Sequence, residues 1–327
     1  MQKIDLEISA KSKTRAANKI KFILLAMSIY LCPGTIYGFD PKPLTICTVY
    51  TFDEASPRYL KRIDEGDVAY YGLVVQAEGD EDIVRYLKKH ANNYLWGYDQ
   101  GYAHTAADSA IVIEGLYHAG YSPELLRKSL TRLFEYYYNP SDGGFKTVVS
   151  GKAKYWFGSS VETTAHVAYL MDVIAPRKFP QAVSSSMRYT ASKQREDGNW
   201  YGKWYPSLNI PTYYAVRLLA RQTNLYGAQL EKAAAYLRGS QERNGSWDDS
   251  IIETAAGLLA FKKLGCCRTN INKAIAWLNT LDRSEYHSIE PILYYWFESA
   301  QEKIFYSCTD RGKISEAWRR LALESSR

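Results

Sequence analysis

The sequence predicts an all-α fold, an (α/α)6 toroid of six helical hairpins closed into one ring. Three observations predict it. A Gly-plus-aromatic punctuation recurs as Leu95-Trp96-Gly97, Asp142-Gly143-Gly144-Phe145, Asp197-Gly198-Asn199-Trp200 and Asn244-Gly245-Ser246-Trp247, with spacings of 49, 55 and 47 residues between the aromatics. Between these marks a polar-faced helix alternates with an apolar one. The apolar helices are small-residue-rich throughout, as in Glu253-Thr254-Ala255-Ala256-Gly257-Leu258-Leu259-Ala260. An open solenoid needs polar caps on its terminal repeats, whereas a ring buries every inner face without them.

Taken in order, residues 1–21 are polar and basic, and Phe22 to Cys32 is a short apolar run followed by Pro33-Gly34. That run is too short to span a bilayer comfortably and has the length of a signal-peptide core. Residues 1–40 are therefore set apart as a signal-like or membrane-associating segment, and 41–327 as a single barrel domain. Export, an interfacial anchor and an N-terminal helix packed on the domain all remain open for this segment. Localisation stays open with it, between cytoplasmic or peripherally membrane-associated and exported. The apolar, inner helices are placed at 66–77, 104–119, 161–175, 210–222, 251–264 and 287–300. Their polar-faced partners fall at 81–93, 124–137, 178–194, 228–240, 269–281 and 313–325. Strand signals are weak, and stretches such as Thr147-Val148-Val149 adjoin turn residues.

Composition narrows the function. The net charge is +6, but Met1 to Lys21 holds six basic and two acidic residues, so the remainder is close to neutral. No basic stripe interleaved with aromatics points to nucleic acid. Five cysteines, two of them adjacent at Cys266-Cys267, make neither a disulfide framework nor a zinc site of the usual spacing. No metal or cofactor is called for. The 28 tyrosines and 8 tryptophans exceed simple structural need and fit an aromatic-lined pocket.

Two units carry a recognisable motif. Gln241-Glu242-Arg243-Asn244-Gly245-Ser246-Trp247 and Gln194-Arg195-Glu196-Asp197-Gly198-Asn199-Trp200 both place Gln four residues before Gly, with Trp two residues beyond it. This resembles the glutamine–tryptophan repeat of squalene-hopene and related terpene cyclases. Asp197 to Trp204 and Ser160 to Val167 resemble two further segments of that family, Asp-Gly-Ser-Trp-Phe-Gly-Arg-Trp and Ser-Glu-Asp-Val-Thr-Ala-His-Val. The resemblance covers roughly 95–265. It implies the α/α barrel of the terpene cyclase and prenyltransferase superfamily, here as a single barrel, with an isoprenoid or other apolar small molecule as partner. Gln194 and Gln241, with Trp200 and Trp247, are then reinforcement near helix ends.

The same resemblance locates a site and a departure. Class II cyclases protonate an alkene or epoxide with the middle Asp of Asp-x-Asp-Asp-Thr-Ala, supported by the His of the Thr-Ala-His helix. This chain reads Thr105-Ala106-Ala107-Asp108-Ser109-Ala110. The donor position is Ala107, only the last Asp survives as Asp108, and the supporting His is His166. Asp108, His166 and Glu162 are the candidate catalytic residues, with Asp108 and His166 expected to face one cavity within reach of each other. His104, Thr105, Trp204, Tyr213, Tyr71 and Glu253 are the candidate substrate-binding residues. Trp204 is a candidate for cation–π stabilisation of a carbocation. His287 and Glu290, spaced i, i+3, are read as an exposed pair. The ordinary reading of Thr105 and Asp108 is helix capping.

The function read from this is a terpene cyclase-like protein holding an isoprenoid or polyene in a central cavity, with acid-initiated cyclisation or isomerisation if active. The alternatives are a non-catalytic isoprenoid- or lipid-binding barrel and a carbohydrate-active α/α toroid. A protein prenyltransferase lacks its Asp, Cys and His zinc ligands here.

Overall fold

The computed structural model describes residues 46–48, 72–73, 75–76, 81–97, 103–149, 158–205, 207–281, 291–296, 304–308 and 313–324. Helices dominate: α1 Glu81–Lys89, α2 Ala106–His118, α3 Pro123–Tyr137, α4 Val161–Ile174, α5 Pro180–Ser192, α6 Asn209–Leu219, α7 Thr223–Ser240, α8 Ile251–Leu264, α9 Arg268–Thr280 and α10 Lys313–Glu324. Residues 1–40, Tyr70, Tyr71, His287 and Glu290 lie outside the described residues.

Local chemistry sets the boundaries. Thr105 caps α2 by accepting from the Asp108 N–H, and Ser250 caps α8 by accepting from the Glu253 N–H. Pro123 and Pro180 open α3 and α5, where a missing N–H costs nothing. Gly265, left-handed at φ 65°, stops α8.

Burial separates two layers. In α8, Ile251, Ile252 and every residue from Thr254 to Phe261 are buried, so this helix is enclosed until its last turn, where Lys263 is exposed. In α3 the buried residues are Leu126, Ser129, Leu130, Leu133 and Tyr137, a single stripe at helical spacing. The inner helices α2, α4, α6, α8 and α10 pack side by side, each on the next, while α3, α5 and α7 each lie against the inner helix before and after it. The inner row is bent. Glu114 of α2 reaches Arg217 of α6 past α4, and Trp318 of α10 meets the rings of Tyr213 and Tyr214 of α6 past α8. At the front of the row the helical stretch around Gly72 presses on α2, where a Cβ on Gly115 would fall 2.4 Å from the Gly72 carbonyl oxygen.

One junction is built four times. The aromatic that ends each punctuation donates its backbone N–H to a hydroxyl at the fourth residue of the following inner helix: Trp96 to Ser109 (2.9 Å), Phe145 to Thr164 (2.8 Å), Trp200 to Thr212 (3.2 Å) and Trp247 to Thr254 (3.0 Å). Three indoles also bond the preceding outer helix, Trp96 at the Leu87 carbonyl, Trp200 at the Thr190 carbonyl and Trp247 at the Ser240 hydroxyl. The glutamines lie beside them as expected. Gln194 donates to the carbonyls of Gly198 and Gln229, and Gln241 to those of Gly245 and Asn270. Each therefore ties its own turn to the next outer helix. Gly198 and Gly245 both stand at φ 99°, and an added Cβ would lie 2.3 Å from the Lys232 oxygen and 2.4 Å from the Lys273 oxygen respectively. Only glycine fits there.

The structure corrects the end of the helical reading. Residues 291–296, expected within an inner helix at 287–300, form a strand, β5 (Pro291–Trp296). It pairs antiparallel with β6 (Ile304–Cys308), which pairs parallel with β1 (Ile46–Thr48). The segment Pro-Ile-Leu-Tyr-Tyr-Trp is apolar without helical spacing and rich in aromatics, which favour a pleated surface, and proline is tolerated at its first position. The last helix changes role as a result. Residues 313–325 were expected on the outside, yet α10 packs on the inner helix α8 and buries Ala317, Trp318 and Ala322. A second small sheet joins β2 (Tyr138–Asn139), β3 (Gly144–Lys146) and β4 (Ser159–Ser160) at the punctuation that ends in Phe145.

Trp247, 2% exposed, gives a direct test. Trp247→Ala is expected to lower unfolding free energy by about 3–5 kcal/mol. Thr254→Val, which strands only the buried Trp247 N–H, should cost about 1–3 kcal/mol. Urea unfolding followed by circular dichroism measures both.

Candidate active site

The starts of the inner helices gather most of the candidate residues. At α2, Thr105 Oγ1 accepts the Asp108 N–H (3.0 Å) and donates to Asp108 Oδ2 (2.6 Å). Capping is therefore real, but it leaves the other carboxyl oxygen of Asp108 outside the cap. Burial pushes the Asp108 carboxyl up to about 6, against the lowering effect of the Thr105 hydroxyl. Next to it, the Tyr137 hydroxyl donates to the His104 carbonyl (2.6 Å), so its oxygen accepts from His104 Nδ1 at 2.5 Å. That fixes the tautomer and leaves Nε2 with its lone pair. Burial lowers the pKa of His104. Burial, reinforced by the negative charge of Asp108, raises that of Tyr137.

The α4 start is stitched to the same place. The Ala106 N–H donates to the Thr147 carbonyl (2.9 Å), and Thr147 Oγ1 meets Thr163 Oγ1 (2.8 Å), Ser160 Oγ (3.2 Å) and the Trp204 indole N–H (2.6 Å). Glu162 is buried. Its Oε1 accepts the backbone N–H groups of Lys203 (2.8 Å) and Trp204 (2.9 Å), while Oε2 is buried without a partner among the described residues. Burial raises the Glu162 carboxyl, opposed by its backbone donors and the charge of Lys203. Glu253 does the equivalent work at α8. Its Oε2 accepts the Asn209 N–H (3.2 Å), and its carbonyl accepts from the Asn209 side chain (3.1 Å). Glu162 and Glu253 both hold an incoming chain segment by its backbone.

His166 goes elsewhere. The pairing expected between Asp108 and His166 is not the one His166 makes. Its Nε2 lies 2.6 Å from Glu114 Oε2, and Glu114 sits six residues further along α2 than Asp108, a rise of about 9 Å. The Glu114 carboxylate is also gripped by both terminal nitrogens of Arg217. All three residues are at most 4% exposed. Burial alone would raise Glu114, but Arg217 and His166 hold its carboxyl well below the usual carboxylate range. Burial lowers His166. The trio is thus a carboxylate, a guanidinium and a neutral imidazole that donates Nε2–H. The Tyr214 ring stacks on His166 with centroids 4.4 Å apart. The Arg217 guanidinium lies 4.1 Å from the Tyr169 ring centroid, 5.1 Å from Tyr213 and 5.2 Å from Tyr214. Tyr213, a candidate for contact with substrate, thereby faces Arg217, whose Nη1 is 3.2 Å from its hydroxyl.

Residues 157–256 match the squalene-hopene cyclase C-terminal domain. Solved structures extend the likeness. The fold resembles ent-copalyl diphosphate synthase from Streptomyces platensis with a TM-score of 0.63 at 18% identity, covering 78% of this chain and 50% of that one. This chain therefore spans half the length of that synthase. A protein from Actinoplanes aligns with a TM-score of 0.61 at 19% identity, over 79% of this chain and 88% of its own. A type II terpene cyclase from Scytonema, in complex with geranylgeranyl dihydroxybenzoate, aligns with a TM-score of 0.61 at 16% identity, over 78% and 85%. At these identities the likeness establishes the fold, a mostly helical terpene cyclase-like domain.

Within the region matching the squalene-hopene cyclase domain lie His166, Glu162, Trp204, Tyr213, Glu253 and the overlooked Arg217. Glu114, also overlooked, lies before it. Both had a signal. Glu114 interrupts the apolar run Ile111-Val112-Ile113, and Arg217 stands between Val216 and Leu218. Two opposite charges, each inside an otherwise apolar helix, must pair or pay heavy desolvation.

Breaking this pair should be costly. Glu114→Gln or Arg217→Met is expected to destabilise by about 3–5 kcal/mol, whereas the double variant recovers much of the loss. Chemical denaturation of the three proteins measures the coupling. Asp108 gives a pH signature. Its folded-state pKa lies above the unfolded value, so the folded protein binds the extra proton between about pH 4 and 6 and stability falls as pH rises through that window. Relative to wild type, Asp108→Asn should gain on the order of 2–3 kcal/mol on moving from pH 4 to pH 7. Thermal melts across that range read the difference.

Proposed function

We propose that this chain is a terpene cyclase-like domain that binds a linear isoprenoid or polyene at the inner-helix starts and protonates it from Asp108. The observation carrying this reading is a carboxyl raised to about 6 at the first turn of α2, adjacent in sequence to the position where the resemblance puts the donor. An acid near its operating pH both holds its proton and releases it. With Thr105 donating to Oδ2, the proton resides on the other oxygen. After transfer, the Thr105 hydroxyl, itself held by the Asp108 N–H, stabilises the carboxylate in place. Trp204 and Glu162 stand on the network that joins the α2 and α4 starts, where they border the bound chain. The inner row closes into the six-membered (α/α)6 ring when the helix around residues 72–76 meets α10, which takes the sixth inner position. The Scytonema type II cyclase, in complex with geranylgeranyl dihydroxybenzoate, supports the ligand class. The basic stretch and short apolar run within residues 1–40 support membrane association of that segment.

A second reading, a binding barrel without chemistry, is favoured by one specific arrangement. The tyrosines that would face a carbocation already surround a guanidinium, and His166 serves Glu114.

Incubation with farnesyl, geranylgeranyl and squalene-type substrates, with products resolved by mass spectrometry, separates the two. Cyclised or isomerised product is expected from the wild type, falling about tenfold per pH unit above pH 6 as Asp108 loses its proton. Asp108→Asn should abolish it with the fold intact. If Asp108→Asn turns over normally, Asp108 is not the acid and Glu162→Gln is the next variant. If the wild type is inert while Ala107→Asp cyclises, the natural chain is the binding barrel.

A further inference from the structure

The turn between α8 and α9 carries two adjacent thiols that the proposed chemistry does not use. Cys266 Sγ and Cys267 Sγ lie 2.7 Å apart, and both residues are half-buried and reachable. The turn is shaped to bring them together. Gly265 is left-handed at φ 65°, and Cys267 is left-handed at φ 66°, a conformation uncommon outside glycine. Cys267 is also the residue before the first turn of α9. From α7, Arg238 Nη1 donates to Cys267 Sγ at 3.3 Å. Charge developing on this sulfur thus meets a guanidinium already bonded to it. Cys266 feels the charge of Arg238 without that hydrogen bond, and burial raises its thiol to about 11.

We propose that Cys266 and Cys267 form a reversible vicinal dithiol–disulfide site, oxidised by low-molecular-weight disulfides such as oxidised glutathione, with Cys267 attacking first and Cys266 resolving. In the first step Cys267, giving up its proton, forms a bond to one sulfur of the oxidant and expels the other as a thiol. In the second, Cys266 gives up its proton, bonds to Cys267 Sγ and expels the remaining half as a second thiol. Two electrons pass from the pair to the oxidant, and both protons leave on the products. Adjacent Cα atoms are about 3.8 Å apart, less than the usual disulfide range of about 4.4–6.8 Å, so the bond is readily reduced again.

Trypsin isolates the pair, because Lys263 and Arg268 flank Leu264-Gly265-Cys266-Cys267 and no other cysteine lies between them. The full-length protein is equilibrated over a series of glutathione redox ratios, quenched with an alkylating reagent and digested. The expected result is peptide 264–268 passing from doubly alkylated to unalkylated and lighter by two hydrogens, with full return on adding dithiothreitol. In Cys266→Ser a glutathione adduct should accumulate on Cys267, whereas Cys267→Ser should acquire the adduct at least tenfold more slowly. Arg238→Gln should slow the first step. Recovery of the doubly alkylated peptide at every ratio overturns the site, and equal adduct rates in the two serine variants overturn the order of attack.

Discussion

The constraint on which the rest of the structure depends is a buried backbone N–H at each passage from an outer helix to an inner one. Such a group must be bonded, and the turn that carries it lies too deep for water to serve. The chain solves this with one device, a hydroxyl at the fourth residue of the next inner helix: Ser109, Thr164, Thr212 and Thr254. The device has a geometric consequence. It fixes how far each inner helix begins from the preceding aromatic, so all four starts are set at equivalent depth. Thr105, Asp108, Glu162, Asn209 and Glu253 each stand at one of these starts because a backbone requirement repeats.

The carboxylates at those starts then divide by what holds them. Glu162 and Glu253 accept backbone N–H groups of the segment leading into α6. Among the described residues, the bonds of Asp108 stay inside its own helix start, where its carboxyl accepts from Thr105 and its N–H donates back. A carboxylate that binds a neighbouring element is structural in the strict sense that neutralising it loosens two helices. Asp108 can change protonation state without undoing a contact between elements, which is what an acid must do.

Much of this was legible. The period near 50 residues and the alternation of polar and apolar helices hold from 81 to 280, and the glutamines and tryptophans stand where the repeat motif puts them. The failures have physical causes. Residues 291–296 carry an apolar run that periodicity cannot assign, and pairing with 304–308 and 46–48, both remote in sequence, decides for strand. Once that segment left the helical register, α10 took the inner position. At the site, the resemblance led from His166 to the motif at Asp108. The partner of His166 is instead chosen by depth. Both His166 and Glu114 sit in mid-helix, whereas Asp108 sits at a helix start.

That depth difference separates two layers of the interior that the family pattern would join. Around the helix starts are hydroxyls, half-buried aromatics and a carboxyl near neutrality, a setting suited to proton transfer. Deeper lies a charge-neutral trio walled by Tyr169, Tyr213 and Tyr214. A guanidinium among tyrosines uses the same cation–π attraction that would stabilise a carbocation, but it is permanent and clamped by Glu114. This layer lies about 9 Å further along α2 than Asp108 and is closed by its own ion pair. Ala107 is small and half-exposed beside Asp108 in the first turn of α2, about 9 Å along the axis from Glu114, so the proposed acid and the clamped guanidinium belong to different layers.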